Sequence, residues 1–502
     1  MAEFDVSRRQ VLKGGAAAMA IGAIGSLGAL YSRQARAAAG GVTRLGPVPG
    51  PYGPLAPVAD KATGLELLQL PPGFSYTSLG WTGDPMDDGQ PVPDRHDGMA
   101  VLERARADGG TDTVIIRNHE RAIGTAIRAP GMYDTARIGD GAAGGGTTNL
   151  TWRDGRLERM EASLGGTLVN CAGGPTPWGT WLSCEEVKTN EVSAEGKRHG
   201  YVFEVDTDPA KTSGQPITGM GRFKHEAVAI DPRTGHVYLT EDDRNKAGLY
   251  RYVPEDTSGR NGSLGRGGRL QAARVRGRRN VDLTVASIGD QYPLEWVDID
   301  DPDLDNLPAP ASFPDIAPGE ALSGPFAQAW SQGALRVSRG EGIWQAGDSL
   351  FIVDTSTGVD AAGRKGYGDG AVWVLHLPSQ TLRALFVSGH QLAANNPDNV
   401  TVSPRGGVVL CEDGGESADR FGPGARLLGL TGEGETFYLA KNNAELTDTQ
   451  IAGAGKQVPE GDYRRGEFCG ACWDPAGETL FVNIQTPGIT LAITGPWQQG
   501  GL

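Results

Sequence analysis

Short apolar runs, separated by glycine, proline and polar residues, recur along the chain after its first 37 residues. Runs such as Ala227–Ile230 and Val400–Val402 are short and contain β-branched residues, while long segments with helical periodicity are scarce. Short strands bounded by turn residues are typical of sheets rather than helices. The pattern therefore predicts an all-β fold.

Four segments share one pattern, in which a glycine at a turn precedes a Glu or Asn by six positions, with an apolar strand between them. They are Thr176–Glu185, Asp231–Glu241, Ser403–Glu412 and Asp474–Asn483, and a looser copy runs from Gly342 to Asp354. An apolar run precedes each turn, so each segment predicts a β-hairpin.

Hairpins repeated over several hundred residues predict a β-propeller, in which each blade is a small sheet and the ring of blades provides the mutual burial. We expect one propeller domain over residues 38–502. Blades of the WD40 type need only about 40–45 residues each, so we expect long insertions between blades. Gly- and charge-rich segments near residues 256–280 and 300–318 are the predicted insertions.

The N-terminus has the order of a twin-arginine signal peptide. The motif Ser7–Lys13 contains Arg8 and Arg9, a Gly/Ala-rich apolar segment follows, and Ala35–Ala37 forms a small-x-small cleavage site. A membrane anchor is the alternative, but about 17 weakly apolar residues are short for a membrane span. We therefore predict a signal peptide over residues 1–37, the twin-arginine export machinery as a partner, a periplasmic or secreted location, and no membrane span in the mature form.

The acidic composition disfavours one class of partner. The formal net charge is −15, and removal of the basic signal peptide makes the mature chain more acidic. Such a protein repels the phosphate backbone, so we expect no nucleic-acid binding. An anionic substrate would need bound cations or arginines to reverse the local charge. The five cysteines cannot all pair, and free thiols are either small buried side chains or metal ligands.

The open ends of the predicted hairpins collect acidic residues on one face. In an antiparallel hairpin the start of the first strand lies beside the end of the second, so Glu226 meets Glu241, Asp398 meets Glu412, and Glu341 meets Asp354. With equivalent blades, all these ends point to one face of the ring. The acidic residues brought there are Glu185, Glu186, Glu226, Glu241, Asp242, Asp243, Glu341, Glu412 and Asp413, with Cys184 and Cys411 beside them.

Converging carboxylates repel one another unless protons or cations neutralise them. Any one of these residues alone is better explained as a solvated loop residue. For the whole set, the constant register favours a metal site. Oxygen ligands suit Ca²⁺ or Fe³⁺, and a thiolate adds affinity for a transition metal. The run Arg117–Glu120 resembles a further strand that ends in polar ligands, and Arg339 beside Glu341 could bind a phosphate bidentately.

These motifs resemble those of the PhoX-type alkaline phosphatase family, over nearly the whole mature chain. The resemblance rests on Arg117–Glu120, Gly173–Glu186, Lys224–Glu226, Glu241 with Asp242, Arg339–Glu341, Pro397–Asn399, and Glu412 with Asp413. It implies a six-bladed propeller, twin-arginine export, and Ca²⁺ and Fe³⁺ ions in the central channel. It also implies that Cys184 bridges iron ions and that Arg339 contacts phosphate. The metal ligands it implies are Glu185, Glu226, Glu241, Glu341 and Glu412, and the matching run Arg117–Glu120 supplies Asn118 as a catalytic candidate and Glu120 as a metal-ligand candidate.

Three functions remain open at the level of sequence. The first is a metal-dependent phosphomonoesterase that acts on small-molecule phosphate esters outside the cytoplasm. The second is a non-catalytic, metal-stabilised propeller that binds a ligand or partner. The third is a calcium-dependent lactonase, which would need no thiolate ligand.

Overall fold

The computed structural model describes residues 45–187, 196–317, 319–415, 418–431 and 433–502. The predicted signal peptide lies outside these residues. The described chain is nearly all β-structure, and its two α-helices are Gly324–Ser331 and Asp448–Gly453. The all-β class is confirmed. Within the described part of the chain, no helix is both long and apolar enough to cross a membrane.

Six groups of strands surround a central axis in the described chain, and we call them blades 1 to 6. Their inner strands are His96–Ala105, Asn170–Pro175, His225–Ile230, Gly340–Ala346, Pro397–Val402 and Phe468–Trp473. Each inner strand contacts the inner strands of the two neighbouring blades, and that of blade 6 contacts that of blade 1. The ring is therefore closed, and the predicted β-propeller is confirmed with six blades.

Blades 1 and 2 are antiparallel sheets built outward from the axis. Blade 1 continues with Thr111–His119, Gly145–Arg153 and Arg156–Thr167, and the short strand Gly131–Met132 pairs parallel to the last of these. Blade 2 continues with Thr180–Glu185 and Val202–Asp206. A small sheet of Ile123–Gly124, Gly141–Ala143 and Arg137–Ile138 lies beside blade 1.

Blades 3 and 4 are joined into one nine-stranded sheet. Blade 3 continues with Val237–Glu241, Leu249–Pro254, Gly268–Val275 and Gln291–Asp298, and blade 4 with Ser349–Asp354, Ala371–His376 and Thr381–Val387. Gln291–Asp298 pairs with the outer strands of both blades. An apolar cluster that includes Tyr238, Leu350 and Trp373 fills the space between them.

Blades 5 and 6 include strands from the N-terminal part of the described chain. Blade 5 continues with Val408–Glu412, Arg426–Leu430, Thr436–Asn442, Leu68–Leu70 and Ala56–Val58, and blade 6 with Thr479–Ile484, Ile489–Thr494 and Ser75–Leu79. Because Ser75–Leu79 pairs with Ile489–Thr494, the two ends of the propeller are hydrogen-bonded within one blade. The short pairs Leu307–Pro308 with Ala321–Leu322, and Glu445–Leu446 with Gly461–Asp462, lie in connections.

The predicted hairpins are present as the two inner strands of blades 2 to 6. The four turn glycines at the shared position, Gly179, Gly235, Gly406 and Gly477, all have positive φ between 68° and 90°. Glycine alone adopts this conformation without a steric cost. The repeat in the sequence therefore marks a backbone requirement.

One predicted insertion is partly wrong. Residues 256–280 were expected to form a loop, but Gly268–Val275 is the fourth strand of blade 3. The strand contains few apolar residues, and they lie between clusters of glycine and arginine, which obscured the strand. Asp300–Ala317 is largely irregular, as predicted, apart from Leu307–Pro308.

Candidate metal and active site

Each inner strand places one side chain beside the axis, near the start of the strand. The pairing register of the inner strand shifts across this point in blades 1 to 5 and directly after it in blade 6, as in a β-bulge, which re-aims a side chain. We call the six residues at this point the axial residues: Asp97, Cys171, Glu226, Glu341, Asp398 and Cys469.

A second set of residues follows the second strand of each hairpin. In every blade, the main-chain N–H of this residue donates to the carbonyl of the residue two positions before the axial residue, at 2.8 to 3.1 Å. The shared hydrogen bond fixes both chains at the same face of the ring. We call these the strand-end residues: Glu120, Glu186, Asp242, Thr355, Asp413 and Gln485.

Members of both sets line a cavity of about 470 Å³ that opens to solvent: Cys171, Glu341 and Asp398 of the first set, and Glu120, Glu186, Asp413 and Gln485 of the second. The residue after each axial residue is small in most blades, and a Cβ on Gly98 would lie 2.5 Å from Cα of Ala172. The inner strands therefore touch just behind the axial residues. Four groups of three side chains each bring one ligand atom per residue within 4.8 Å of the others. The groups are Cys171, Glu186 and Glu226; Asp97, Glu120 and Glu467; Glu226, Glu341 and Asp398; and Asp398, Asp413 and Glu467.

Glu226 carries the clearest sign of a bound cation. It is fully buried, and both of its carboxylate oxygens lack a hydrogen-bond partner. Burial raises its pKa well above the usual range, and the nearby carboxylates of Glu341 and Asp398 raise it further. A buried acceptor without a partner costs free energy. A cation at this carboxylate would remove that cost, so the residues fit a metal ion.

Burial and neighbouring carboxylates also raise the pKa values of other acidic groups at the cavity. Burial, followed by Asp242, raises the pKa of Glu186 to about 8, although Lys224 opposes the shift. Burial and Asp413 raise the pKa of Asp398 to about 7. Burial and neighbouring carboxylates raise the pKa of the Cys171 thiol. Without cations, several of these groups would be protonated at neutral pH.

Arg339 lies directly beside this cluster. Its Nε and Nη2 donate to the two oxygens of Asp242 at 2.9 and 2.7 Å, and Nη2 lies 2.7 Å from a Glu341 oxygen. Burial lowers its pKa, but Glu341 and Asp242 outweigh this effect and raise it. Nη1 is 3.8 Å from Asp413 at the cavity wall. The structure thus places the predicted phosphate-contacting residue in the cavity.

Cys184 does not lie in the cavity. It is fully buried in an apolar cluster with Leu182, Val202 and Phe223. The cysteine that contributes to a metal-binding group is Cys171. The expectation that Cys184 is a ligand does not agree with this placement, because its thiol packs among the apolar side chains of this cluster.

The carboxylates of Glu185, Glu241 and Glu412 also point into the blades. Glu185 accepts from the main-chain N–H groups of Leu168, Gly200 and Tyr201. Glu241 accepts from Gly248, Tyr250 and Ser323. Glu412 forms a buried bidentate ion pair with Arg426. The oxygens of these predicted ligands already have hydrogen-bond partners in the protein. Of the residues that follow them, Glu186 and Asp413 line the cavity, and Asp242 binds Arg339.

Asn118 has a supporting position. Its Nδ2 donates to the carbonyls of Cys171 and Ala172 at 3.0 and 2.7 Å, and its Oδ1 accepts from Trp181 and Ser183. All its hydrogen-bonding positions are used, and the side chain is fully buried. It therefore does not reach the cavity, contrary to its predicted catalytic role, but it links blade 1 to the strand that carries Cys171.

Of the site residues expected from the sequence, Glu120, Glu341 and Arg339 line the cavity, and Glu226 groups with Glu341 and Asp398. Sequence reasoning missed Asp97, Cys171 and Glu467. A signal for Asp97 exists, because Arg95-His96-Asp97 repeats the basic-x-acidic spacing of Lys224-His225-Glu226 and Arg339-Gly340-Glu341. Cys171 lies five positions before its turn residue Thr176, as Glu226 lies five before Asp231.

Fold and site together define a six-bladed propeller with an axial cavity whose side chains fit metal ions. The profile of the family Alkaline phosphatase PhoX matches residues 50–161 and 155–488. This match spans most of the sequence, and the chain belongs to the PhoX alkaline phosphatase family.

Solved structures agree with the fold. PhoX from Pseudomonas fluorescens, in complex with vanadate, a transition state analogue, matches with a TM-score of 0.59 and 17% identity, over 92% of this chain and 99% of that chain. The holo PQQ domain of pyranose dehydrogenase from Coprinopsis cinerea matches at 0.32 and 12% identity, over 85% of this chain and 97% of that one, which is too distant to support an argument. A comparison with curated protein sequences gave no significant match.

Proposed function

We propose that the protein is a metal-dependent phosphomonoesterase, an alkaline phosphatase that releases phosphate from small-molecule esters. The observation that carries the proposal is the unpartnered, fully buried carboxylate of Glu226. It groups with Glu341 and Asp398, which line a cavity that Arg339 also lines. Membership of an alkaline phosphatase family supports the same reaction.

Two kinds of ligand group suit two kinds of ion. Cys171, Glu186 and Glu226 combine a thiol with carboxylates, which suits a transition metal, and we propose Fe³⁺ there. The other three groups contain only carboxylates, which suits Ca²⁺. When bound, such ions supply Lewis-acid polarisation of the phosphoryl group and a lowered pKa for attacking water.

Arg339 would bind and orient the phosphoryl group. Asp242 fixes the guanidinium plane through two hydrogen bonds, so that Nη1 can donate to a phosphoryl oxygen in the cavity. A charge-assisted hydrogen bond of this kind stabilises the charge that develops in phosphoryl transfer. Lys224 donates to Glu186 at 3.0 Å and orients that carboxylate in the same wall.

The test is phosphate release from an aryl phosphate at alkaline pH by protein loaded with calcium and iron. We expect turnover that is lost on chelation and restored by the two metals together. Arg339→Gln should lower kcat/KM by about 100-fold or more, with metal content unchanged. Lack of turnover at full metal occupancy would contradict the proposal and favour a non-catalytic propeller.

We also propose export through the twin-arginine pathway to the periplasm or the exterior, on the basis of Ser7–Lys13 and Ala35–Ala37. Export in a folded form suits a cavity that takes up several metal ions. Replacing Arg8 and Arg9 by lysine should retain the protein inside the cell in a fractionation experiment. Unchanged export of this variant would contradict the pathway.

A further inference from the structure

The cavity is larger than the phosphate group of the proposed reaction requires. Its volume of about 470 Å³ lies within the range of about 300–1,000 Å³ typical of sites for whole small molecules. The metal-binding groups and Arg339 occupy its axial part. The remaining wall, toward solvent, comes mainly from the loops before the inner strands of blades 1 and 6 and after the second strand of blade 6.

Two exposed arginines border this outer part of the cavity. Arg95 precedes the inner strand of blade 1, and Arg465 precedes that of the adjacent blade 6. Arg95 has a positive φ of 55°, its carbonyl accepts from the N–H of Glu120, and its Nη1 donates to Oε1 of Gln485 at 2.7 Å. These contacts hold its guanidinium at the cavity mouth in a backbone conformation that is uncommon for arginine.

Arg339 cannot serve this outer region, because Asp242 and Glu341 hold it in place. A guanidinium binds phosphate bidentately, so Arg95 and Arg465 provide a second place for an anion. Two acidic residues lie in the same outer wall, but Asp462 is paired with Arg464 and Glu467 belongs to the metal-binding groups. In a protein with a net charge of −15, arginines at a cavity mouth attract anions locally.

We propose that Arg95 and Arg465 form a second anion subsite, and that the preferred substrates are phosphomonoesters that carry a second phosphate group. This inference rests on the proposed function, since the first phosphate occupies the axial part of the cavity. Arg95 and Arg465 are specificity residues, and they do not contact the phosphate that is released.

The test compares glucose 6-phosphate with glucose 1,6-bisphosphate, which differ only in the second phosphate. The measured quantity is the ratio of kcat/KM for the bisphosphate to that for the monophosphate, in the metal-loaded protein. We expect the double variant Arg95→Gln, Arg465→Gln to lower this ratio by about tenfold or more, since a hydrogen bond to a charged group is worth at least that much. The loss should come from KM of the bisphosphate.

The matched control is Arg137→Gln, because Arg137 is exposed and pairs with Asp140 in the small sheet beside blade 1, away from the cavity. It should leave the ratio unchanged. Activity of the double variant on glucose 6-phosphate should stay within twofold of the unmodified protein, which shows that fold and metal site are intact. An unchanged ratio in the double variant would overturn the subsite.

Failure of the proposed function can be told apart from failure of the subsite. If the proposed function is wrong, the unmodified protein hydrolyses neither sugar phosphate. In that case calorimetric titration of the metal-loaded protein with each sugar phosphate tests the subsite. Binding of glucose 1,6-bisphosphate at least tenfold tighter than that of glucose 6-phosphate, lost in the double variant, would support the subsite. Equal affinities would overturn it.

Discussion

Consecutive acidic residues at the strand ends differ in their environment. Glu185 and Glu412 point into their blades, where main-chain N–H groups or Arg426 satisfy their oxygens. Glu186 and Asp413, the next residues, border the cavity and belong to groups that fit a metal ion. One step along the strand reverses the face of the sheet, and with it the role of the carboxylate.

The comparison shows which property distinguishes a supporting carboxylate from a candidate ligand. Burial does not, because Glu412 and Glu226 are both at most 1% exposed. The direction of the pKa shift does not either, since burial raises the pKa of both groups. The number of hydrogen-bond partners does: Glu412 has several, and Glu226 has none for either oxygen.

The largest effect on metal content and activity is expected for Glu226→Gln. The variant removes the unpartnered carboxylate, so we expect loss of bound metal and a fall in phosphatase activity of more than about 100-fold. The free energy of unfolding of the metal-free protein should not decrease, because repulsion with Glu341 and Asp398 is removed. Elemental analysis, phosphate release and urea unfolding measure the three quantities. Normal metal content in this variant would contradict the assignment.

Glu412→Gln should lower stability and leave metal binding intact, because it removes the charged group that binds the buried Arg426 bidentately. Loss of one member of a buried ion pair costs about 3–5 kcal/mol of unfolding free energy, measurable by urea unfolding. Metal content per folded molecule should stay the same. The matched variant Asp413→Asn should keep stability and lower metal content, and an exchange of these two results would refute the comparison.

A pH effect on the metal-free protein follows from the raised pKa values of Glu186 and Asp398, about 8 and about 7. In the unfolded chain both groups ionise near pH 4, so between about pH 4 and 8 the folded state holds more protons. Stability of the metal-free protein therefore falls as pH rises through this window.

Urea midpoints at pH 5 and pH 8, with and without chelator, measure the effect. The metal-loaded protein should not lose stability over this range, because bound cations favour the ionised carboxylates. A metal-free protein that becomes more stable toward pH 8 would show that these carboxyls do not repel one another.

The smallest changes are expected when the two cysteines Cys184 and Cys171 are replaced separately. Cys184→Ser places a hydroxyl in an apolar cluster and should lower the unfolding free energy by about 1–3 kcal/mol, with iron content unchanged. Cys171→Ser should lower iron content and leave calcium largely in place, which elemental analysis measures. Iron loss in the Cys184 variant alone would restore the expectation drawn from the sequence.

The sequence contains enough information for the propeller and for the face that carries the site. The turn glycines, such as Gly235 and Gly406, repeat because each occupies a left-handed conformation, and this backbone requirement is visible without a structure. The face follows from hairpin geometry, which brings Glu226 beside the end of its partner strand.

Which of two neighbouring acidic residues faces the cavity was not predictable in the same way. Both strands of each hairpin are buried on both sides, so polarity does not alternate along Val408–Glu412 or Thr180–Glu185. The register shift at each axial residue further changes which side chains point toward the cavity. Cys171 was missed for this reason, although its distance from the turn matches that of Glu226.

The most direct test of the central claim is X-ray diffraction from crystals of the metal-loaded protein at the iron absorption edge. The account predicts an anomalous peak bordered by Cys171, Glu186 and Glu226, within the axial cavity. A peak beside Cys184, or none in the cavity of a protein that hydrolyses phosphate esters, would contradict it.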